Sequence, residues 1–247
     1  MSISTAPDPS LAQVRNSSID AVTVENLLLA AAHDLRTPLN AMSGWLHLLG
    51  SVSSAPSPLF DKAKLGIARA VQQQTALLEQ IFETVLASRG ELTLHLEAVD
   101  FRDMLERVFA ARTPQSGDAR VGPQWVVQLD AALPVCIDRV HCETALGEIS
   151  ATIRRAVHNA QTAYVTAKIS DQTITVTIHV VDVQGAQQDL ANAFPQTTSK
   201  HGVHGPSIQQ LHANALINAQ GGRVSLSQGP DFRAELLHIQ LPLNTVR

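Results

Sequence analysis

Only two cysteines, Cys136 and Cys142, occur in the 247 residues. His141 stands beside Cys142, but no second ligand cluster follows at zinc-like spacing, so no structural metal site is expected. Both cysteines have apolar neighbours and read as reduced, partly buried thiols of a cytoplasmic protein. A basic excess is also missing. Eighteen Lys and Arg against 22 Asp and Glu leave a net charge of -4, which removes the charge argument for nucleic-acid binding. Nor is there a long apolar run. The longest, residues 27–32, is broken by His33, Asp34 and Arg36, far short of the roughly 20 residues that cross a bilayer. The first residues show no basic start followed by an apolar core, so neither a signal peptide nor a membrane anchor is expected. No internal repeat is visible. What remains is a chain with 45% hydrophobic residues, enough for one large domain or two small ones with real cores.

Residues 1–19 are rich in Ser, Pro, Asp and Asn and read as a disordered leader. A helix is predicted over residues 20–49. Leu28, Leu35, Met42 and Leu49 recur in one seam position, and Ala32, Leu39 and Leu46 fill the alternate one. Pro38 interrupts this helix and is expected to bend it. Residues 50–58 carry Ser and Pro and read as a loop. A second helix is predicted over residues 59–88, with Ile67, Val71, Gln74, Leu78, Ile81 and Val85 as its seam. Each helix of this hairpin can bury only one stripe, so a homodimeric four-helix bundle is expected.

Beyond Arg89-Gly90 the periodicity changes. Leu92, Leu94 and Leu96 alternate, as in a short strand or extended linker. Helices are expected over residues 101–112, 138–157 and 207–219, the last ended by Gly221-Gly222. A strand is expected over residues 125–129. Hairpins are expected over residues 164–169 with 173–181, and over 223–227 with 234–241. Residues 183–206 read as a long loop. The chain is therefore an α+β protein, with a helical hairpin over residues 20–90 and an α/β layer domain over residues 91–247.

Of ten histidines, one sits in a context that demands chemistry. The segment His33-Asp34-Leu35-Arg36-Thr37-Pro38-Leu39-Asn40 resembles the H-box of the HisKA family of histidine kinases. Ala31-Ala32 before it and Ala41-Met42-Ser43-Gly44-Trp45 after it fit the same pattern. Ser88-Arg89-Gly90-Glu91-Leu92 and Val99-Asp100-Phe101 resemble the junction into the family's second domain. The residue chemistry agrees. A phosphoryl acceptor must be nucleophilic near neutral pH, where imidazole titrates, and must be exposed on a rigid element. Asp34 is placed to orient the ring or take its proton, and Thr37 follows one turn later. The resemblance implies that His33 is the phosphoacceptor, with Asp34 and Thr37 assisting. Arg36 and Asn40 are candidates for phosphate or partner contacts.

The second half resembles the GHKL-type (Bergerat-like) ATP-binding domain in outline. Glu148 and Thr152 stand where the family carries its Asn pair, the second of which holds Mg²⁺, and Arg155 matches a basic position. A Thr hydroxyl is a poorer Mg²⁺ ligand than an amide carbonyl. The adenine box becomes Asp182-Val183-Gln184-Gly185-Ala186, which keeps Asp182 but replaces both pattern glycines. Phe194 matches an aromatic position. The phosphate-cradling box becomes His201-Gly202-Val203-His204-Gly205, where Gly205 fits and Gly202 is displaced by one. If nucleotide binding is retained, Thr152, Asp182, Gly185, Gly202 and Gly205 would carry it, with ATP and Mg²⁺ as cofactors.

Three functions compete. The leading expectation is a dimeric phosphorelay protein that exchanges a phosphoryl group between His33 and response-regulator aspartates, with an upstream kinase as a candidate further partner. The alternative is an ATP-dependent sensor kinase core with a divergent pocket. A third, from another class, is a non-catalytic module that pairs with kinases or regulators. The intact H-box beside eroded nucleotide boxes favours the first.

Overall fold

The computed structural model describes residues 21–50, 58–110, 124–128, 134–156, 162–170, 172–181, 194, 206–228 and 235–243. Two long helices come first: α1 (Ala21–Gly50) and α2 (Pro58–Ser88). Leu and Ala dominate both, joined by Gln in α2, and these residues lose little side-chain freedom in a helix. Pro58 opens α2 at a position where its missing N–H costs nothing, and Asp61 lies in the first turn, facing the positive end of the helix dipole. At the far end Gly90 adopts φ 68°. The Glu91 amide donates to the Leu86 carbonyl at 2.9 Å and the Gly90 amide to Ala87 at 3.1 Å. This is a Schellman stop, and only glycine takes its left-handed residue without strain.

The two helices pack along a stripe of small residues. Ala30, Ala63 and Ala70 are buried. Gly66 lies under the indole of Trp45, leaving no room for a Cβ. The helix runs on through Pro38, which is itself buried. The expected seam divides in two within a single chain. Leu35, Met42 and Leu49 are half-buried, whereas Leu28, Leu39, Leu46, Val71 and Leu78 remain exposed. The interhelical loop expected at residues 50–58 lies almost wholly outside the described residues.

An α/β unit follows. Its elements are β1 (Leu96–Asp100), α3 (Phe101–Ala110), β2 (Gln124–Gln128), β3 (Pro134–Asp138), α4 (Arg139–Ala156), β4 (Thr162–Ser170), β5 (Thr173–Val181), α5 (Ile208–Ala219), β6 (Arg223–Gln228) and β7 (Glu235–Pro242). Five strands form one sheet in the order β2-β4-β5-β7-β6, and β1 and β3 form a separate antiparallel pair. Within the larger sheet β2 runs parallel to β4, and the remaining pairs are antiparallel. Strand β3 was not expected from the sequence, and it begins at Pro134, where a missing N–H is tolerated.

Burial along β5 follows the strand period of two. Ile174, Val176, Ile178 and Val180 are buried while the alternate residues are half-exposed. The buried face meets Phe101, Leu105, Leu146, Ile149 and Leu216 from the helices, giving one helix-on-sheet core. Each fully buried Ile, Leu or Phe stabilises this core by about 1.5–3 kcal/mol. Phe109 stacks on Trp125 at 4.7 Å, and the Arg154 guanidinium lies 5.7 Å over the same indole. Cys136 and Cys142 are free and buried, and burial pushes the Cys142 thiol up to about 12.

Helix α5 matters most for the site. Ser207 and Gln210 close a capping box at its start. Gly221, at φ 77°, ends it in a second Schellman stop, with the Gly222 amide donating to Ile217 at 2.9 Å. A Cβ on Gly222 would collide with the Gln240 carbonyl, so this glycine also lets the chain pass close under β7.

Candidate functional site

His33 projects from α1 with 76% of its side chain exposed. Its Nδ1 lies 2.9 Å from Asp34 Oδ1. An ionised carboxylate only accepts hydrogen bonds, so Nδ1 carries the proton and donates. In the neutral ring the lone pair is then on Nε2, which faces solvent, and this is the form a nucleophile needs.

The second oxygen of Asp34 reaches another element. Oδ2 accepts from the Ile208 amide at 2.9 Å, across 174 positions of chain. Ile208 is the first residue of α5, and its N–H has no partner within the helix. A carboxylate there satisfies the donor and complements the positive end of the helix dipole. Asp34 thus ties the neighbourhood of His33 to the start of α5. Thr37, Arg36 and Asn40 are exposed on the same helix.

A second polar joint lies farther down α5. His212 is 2% exposed. Its Nδ1 lies 2.9 and 3.0 Å from the two oxygens of Glu148 on α4, and its Nε2 lies 2.8 Å from Glu83 on α2. Gln80, one turn before Glu83, donates to Glu148 at 2.8 Å. Burial lowers the His212 pKa, but the hydrogen bonds and charges of Glu148 and Glu83 outweigh it and leave the value raised. None of this was read from the sequence. The signal available was weak: a lone histidine on the otherwise apolar face of a short helix.

The positions expected to hold a nucleotide divide. Asp182, Gly185, Gly202 and Gly205 lie outside the described residues. Phe194 is described and buried. Thr152 is 4% exposed, and its hydroxyl accepts from Arg155 at 3.2 Å. The Arg155 guanidinium also donates to Gln209 at 2.6 Å. Burial lowers the Arg155 pKa, against the pull of Asp34 and Glu148. Glu148, standing where the family's first Asn is expected, is taken up by His212 and Gln80. At the second position of the expected pair, where the metal ligand belongs, the Thr152 hydroxyl is thus engaged by Arg155. Among the described residues, no group of three or more His, Cys, Asp or Glu side chains is arranged so that it could hold a metal ion.

No family model matches the chain. Its sequence is 22% identical over 242 residues to the sensor protein GacS of Pseudomonas syringae pv. syringae, covering 92% of this chain and 26% of that protein. The chain therefore spans about a quarter of the length of this curated relative. Its structure is similar to the histidine kinase AdeS of Acinetobacter baumannii, with a TM-score of 0.59, 22% identity, and coverage of 86% of this chain and 98% of that one. It is similar also to the histidine kinase ThkA in complex with the response regulator TrrA, with a TM-score of 0.59, 13% identity, and coverage of 95% and 66%. Full-length ShkA in complex with AMPPNP gives a TM-score of 0.54, 19% identity, and coverage of 90% and 46%. The fold is that of sensor histidine kinase cores, a helical hairpin followed by a mixed α/β sheet unit, and the sequence is similar to theirs as well. No described helix is long and apolar enough to cross a membrane.

Proposed function

We propose that this chain is a two-component signalling protein that carries a phosphoryl group on His33 and exchanges it with the aspartates of response-regulator receiver domains. The observation that carries this reading is the exposed His33 ring, its Nδ1 held by Asp34 and its Nε2 open to solvent. In the forward step Nε2 attacks the phosphorus of an aspartyl phosphate. The N–P bond forms, the P–O bond of the mixed anhydride breaks, and the receiver carboxylate leaves with the electron pair. Asp34 keeps the ring in the reactive tautomer and balances the charge that builds on it. The reverse step returns the phosphoryl group to a receiver. The similar kinase ThkA, in complex with a response regulator, supports this class of partner.

The apolar stripe left exposed on the hairpin, with Leu28 at 65%, Leu46 at 59% and Leu78 at 52%, supports a homodimer through a four-helix bundle. Helical residues 21–88 would form the dimerising and phosphotransfer unit.

A second reading, an ATP-dependent kinase core, is favoured by the sensor kinases that this chain resembles, among them ShkA in complex with an ATP analogue. Against it stands the Thr152 hydroxyl, which occupies the expected Mg²⁺ position and accepts from Arg155, and the engagement of Glu148, at the first position of the pair, by His212. The test separates the readings. The purified chain is mixed either with labelled ATP and Mg²⁺ or with a pre-phosphorylated receiver domain, and acid-labile label on the protein is measured. Label from the receiver but not from ATP, lost in His33→Gln, supports the phosphorelay reading. Label from ATP replaces it with the kinase reading. No label from either source refutes both.

A further inference from the structure

Glu83, Glu148 and His212 come from three different helices, and they join the hairpin to the α/β unit. Both imidazole nitrogens are within 3.0 Å of carboxylate oxygens. Two ionised carboxylates offer acceptors only, so both ring nitrogens must carry protons to bond both sides. A neutral ring has a single N–H. It would present a lone pair to one of the two carboxylates, replacing an attraction with a repulsion.

We propose that His212 is a proton-operated latch: as imidazolium it clasps the hairpin through Glu83 and α4 through Glu148, and on losing its proton it releases the α/β unit from the hairpin. The groups around it set the direction. From α2 it faces Glu83 and the neutral Gln80, and from α4 it faces Glu148. Farther along α4, Arg155 acts on Glu148 as a competing cation and also feels Asp34 of α1. Within α5, His212 is the only ionisable side chain. Two carboxylates against one ring favour the proton when the units are docked. Docking is then fully supported below the ring's ordinary value of 6.5 and weakens as pH rises through the higher docked-state value.

The latch sits where the two units meet, since Glu83 belongs to the hairpin and His212 to the α/β unit. The chain passes between them at Gly90, whose left-handed turn lies between α2 and β1. Release would also draw α5 away from Asp34, because Ile208 lies one helical turn before His212. The inference goes beyond the phosphoryl chemistry and holds whether or not His33 takes a phosphoryl group.

The experiment uses the full chain with spin labels at Asp61→Cys on α2 and Lys168→Cys on β4. Labelled protein is diluted into unlabelled protein so that only distances within one chain are read. Distance distributions are recorded from about pH 6 to about pH 9, the range that spans the ring's titration. The expected result is one docked population at low pH and a second, longer population that grows as pH rises. His212→Gln, which cannot take a proton, should lose the pH response. Glu83→Gln should lower the docked-to-undocked ratio at low pH by about three- to tenfold, the scale of one partly exposed charged hydrogen bond. Should His212→Gln fail to fold, Glu83→Gln at the half-exposed end of the latch decides the matter. A wild-type distribution unchanged across the range overturns the proposal. So does a folded His212→Gln that keeps the wild-type response, or a Glu83→Gln that matches wild type at every pH.

Discussion

Removing the Asp34 carboxylate tests whether the acceptor helix and α5 are mechanically joined. Asp34 Oδ2 accepts from the Ile208 amide at 2.9 Å, and the side chain is 21% exposed. Two effects add at this position. A hydrogen bond with one charged partner contributes about 1.5–3 kcal/mol, and a negative charge at a helix N-terminus contributes about 0.3–1 kcal/mol. Part is recovered in Asp34→Ala, because water reaches the freed amide once the carboxylate is gone. A net loss of about 1–2 kcal/mol follows, a factor of about 5–30 in the equilibrium between closed and open Ile208. Hydrogen exchange resolved at single amides measures this directly. The Ile208 amide in Asp34→Ala should exchange about 5–30 times faster than in wild type, and Asp34→Asn should lie between, since its amide oxygen still accepts. The Leu211 amide donates to Ser207 within the helix at 3.1 Å and serves as the internal control. Unchanged exchange at Ile208 would refute the contact. Equal acceleration at Leu211 would mean that the helix frays, which refutes the undocking argument.

Two further outcomes follow from the same geometry. Asp138 is 2% exposed and accepts from the His141 amide at 3.0 Å and the His95 amide at 2.7 Å. Burial raises its pKa, but those amides and the nearby His141 ring outweigh burial and leave it lowered. Its stabilising contribution is therefore present above the unfolded carboxyl value of about 3.9 and is lost as pH falls through the lower folded value. Asp138→Asn should cost about 1–3 kcal/mol at neutral pH and remove that share of the acid sensitivity, as read by thermal melts across the acid range. A melt curve that keeps its wild-type acid slope in the variant would contradict this. On the hairpin, Leu46→Lys together with Leu78→Lys places charge in the exposed apolar stripe. If the stripe forms the proposed homodimer, sedimentation should find a dimer for the wild type and a monomer for the variant, and a dimer surviving both changes would mean that the stripe is not the interface.

Much of the fold was legible because it rests on local periodicity. Helix α1, expected over residues 20–49, runs Ala21–Gly50, and the hairpins β4–β5 and β6–β7 follow the alternation that announced them. Strand β3 escaped because Pro134 and a short apolar stretch carry no turn chemistry and no clear alternation. The parallel pairing of β2 with β4 escaped because nothing local encodes which distant strand a segment will join. The seam of the hairpin was legible as a pattern. Its division into a half-buried and an exposed part was not, since that depends on how far one partner helix can cover a stripe.

The site divides along the same line. His33 and Asp34 are neighbours in sequence, so their contact was within reach of residue-level reasoning. The bond from Ile208 to Asp34 spans 174 positions and that from His212 to Glu83 spans 129, and no periodicity links such pairs. Both bonds nevertheless run through one face of one helix. Ile208 and His212 stand a single turn apart on α5, the first meeting α1 and the second meeting α2. A rigid helix held at two points on the hairpin cannot shift at one without straining the other. The state of the His212 proton and the surroundings of His33 are therefore coupled through α5. Glu148, which stands at the first position of the expected Asn pair, belongs to that coupling, because its carboxylate bonds His212 and Gln80.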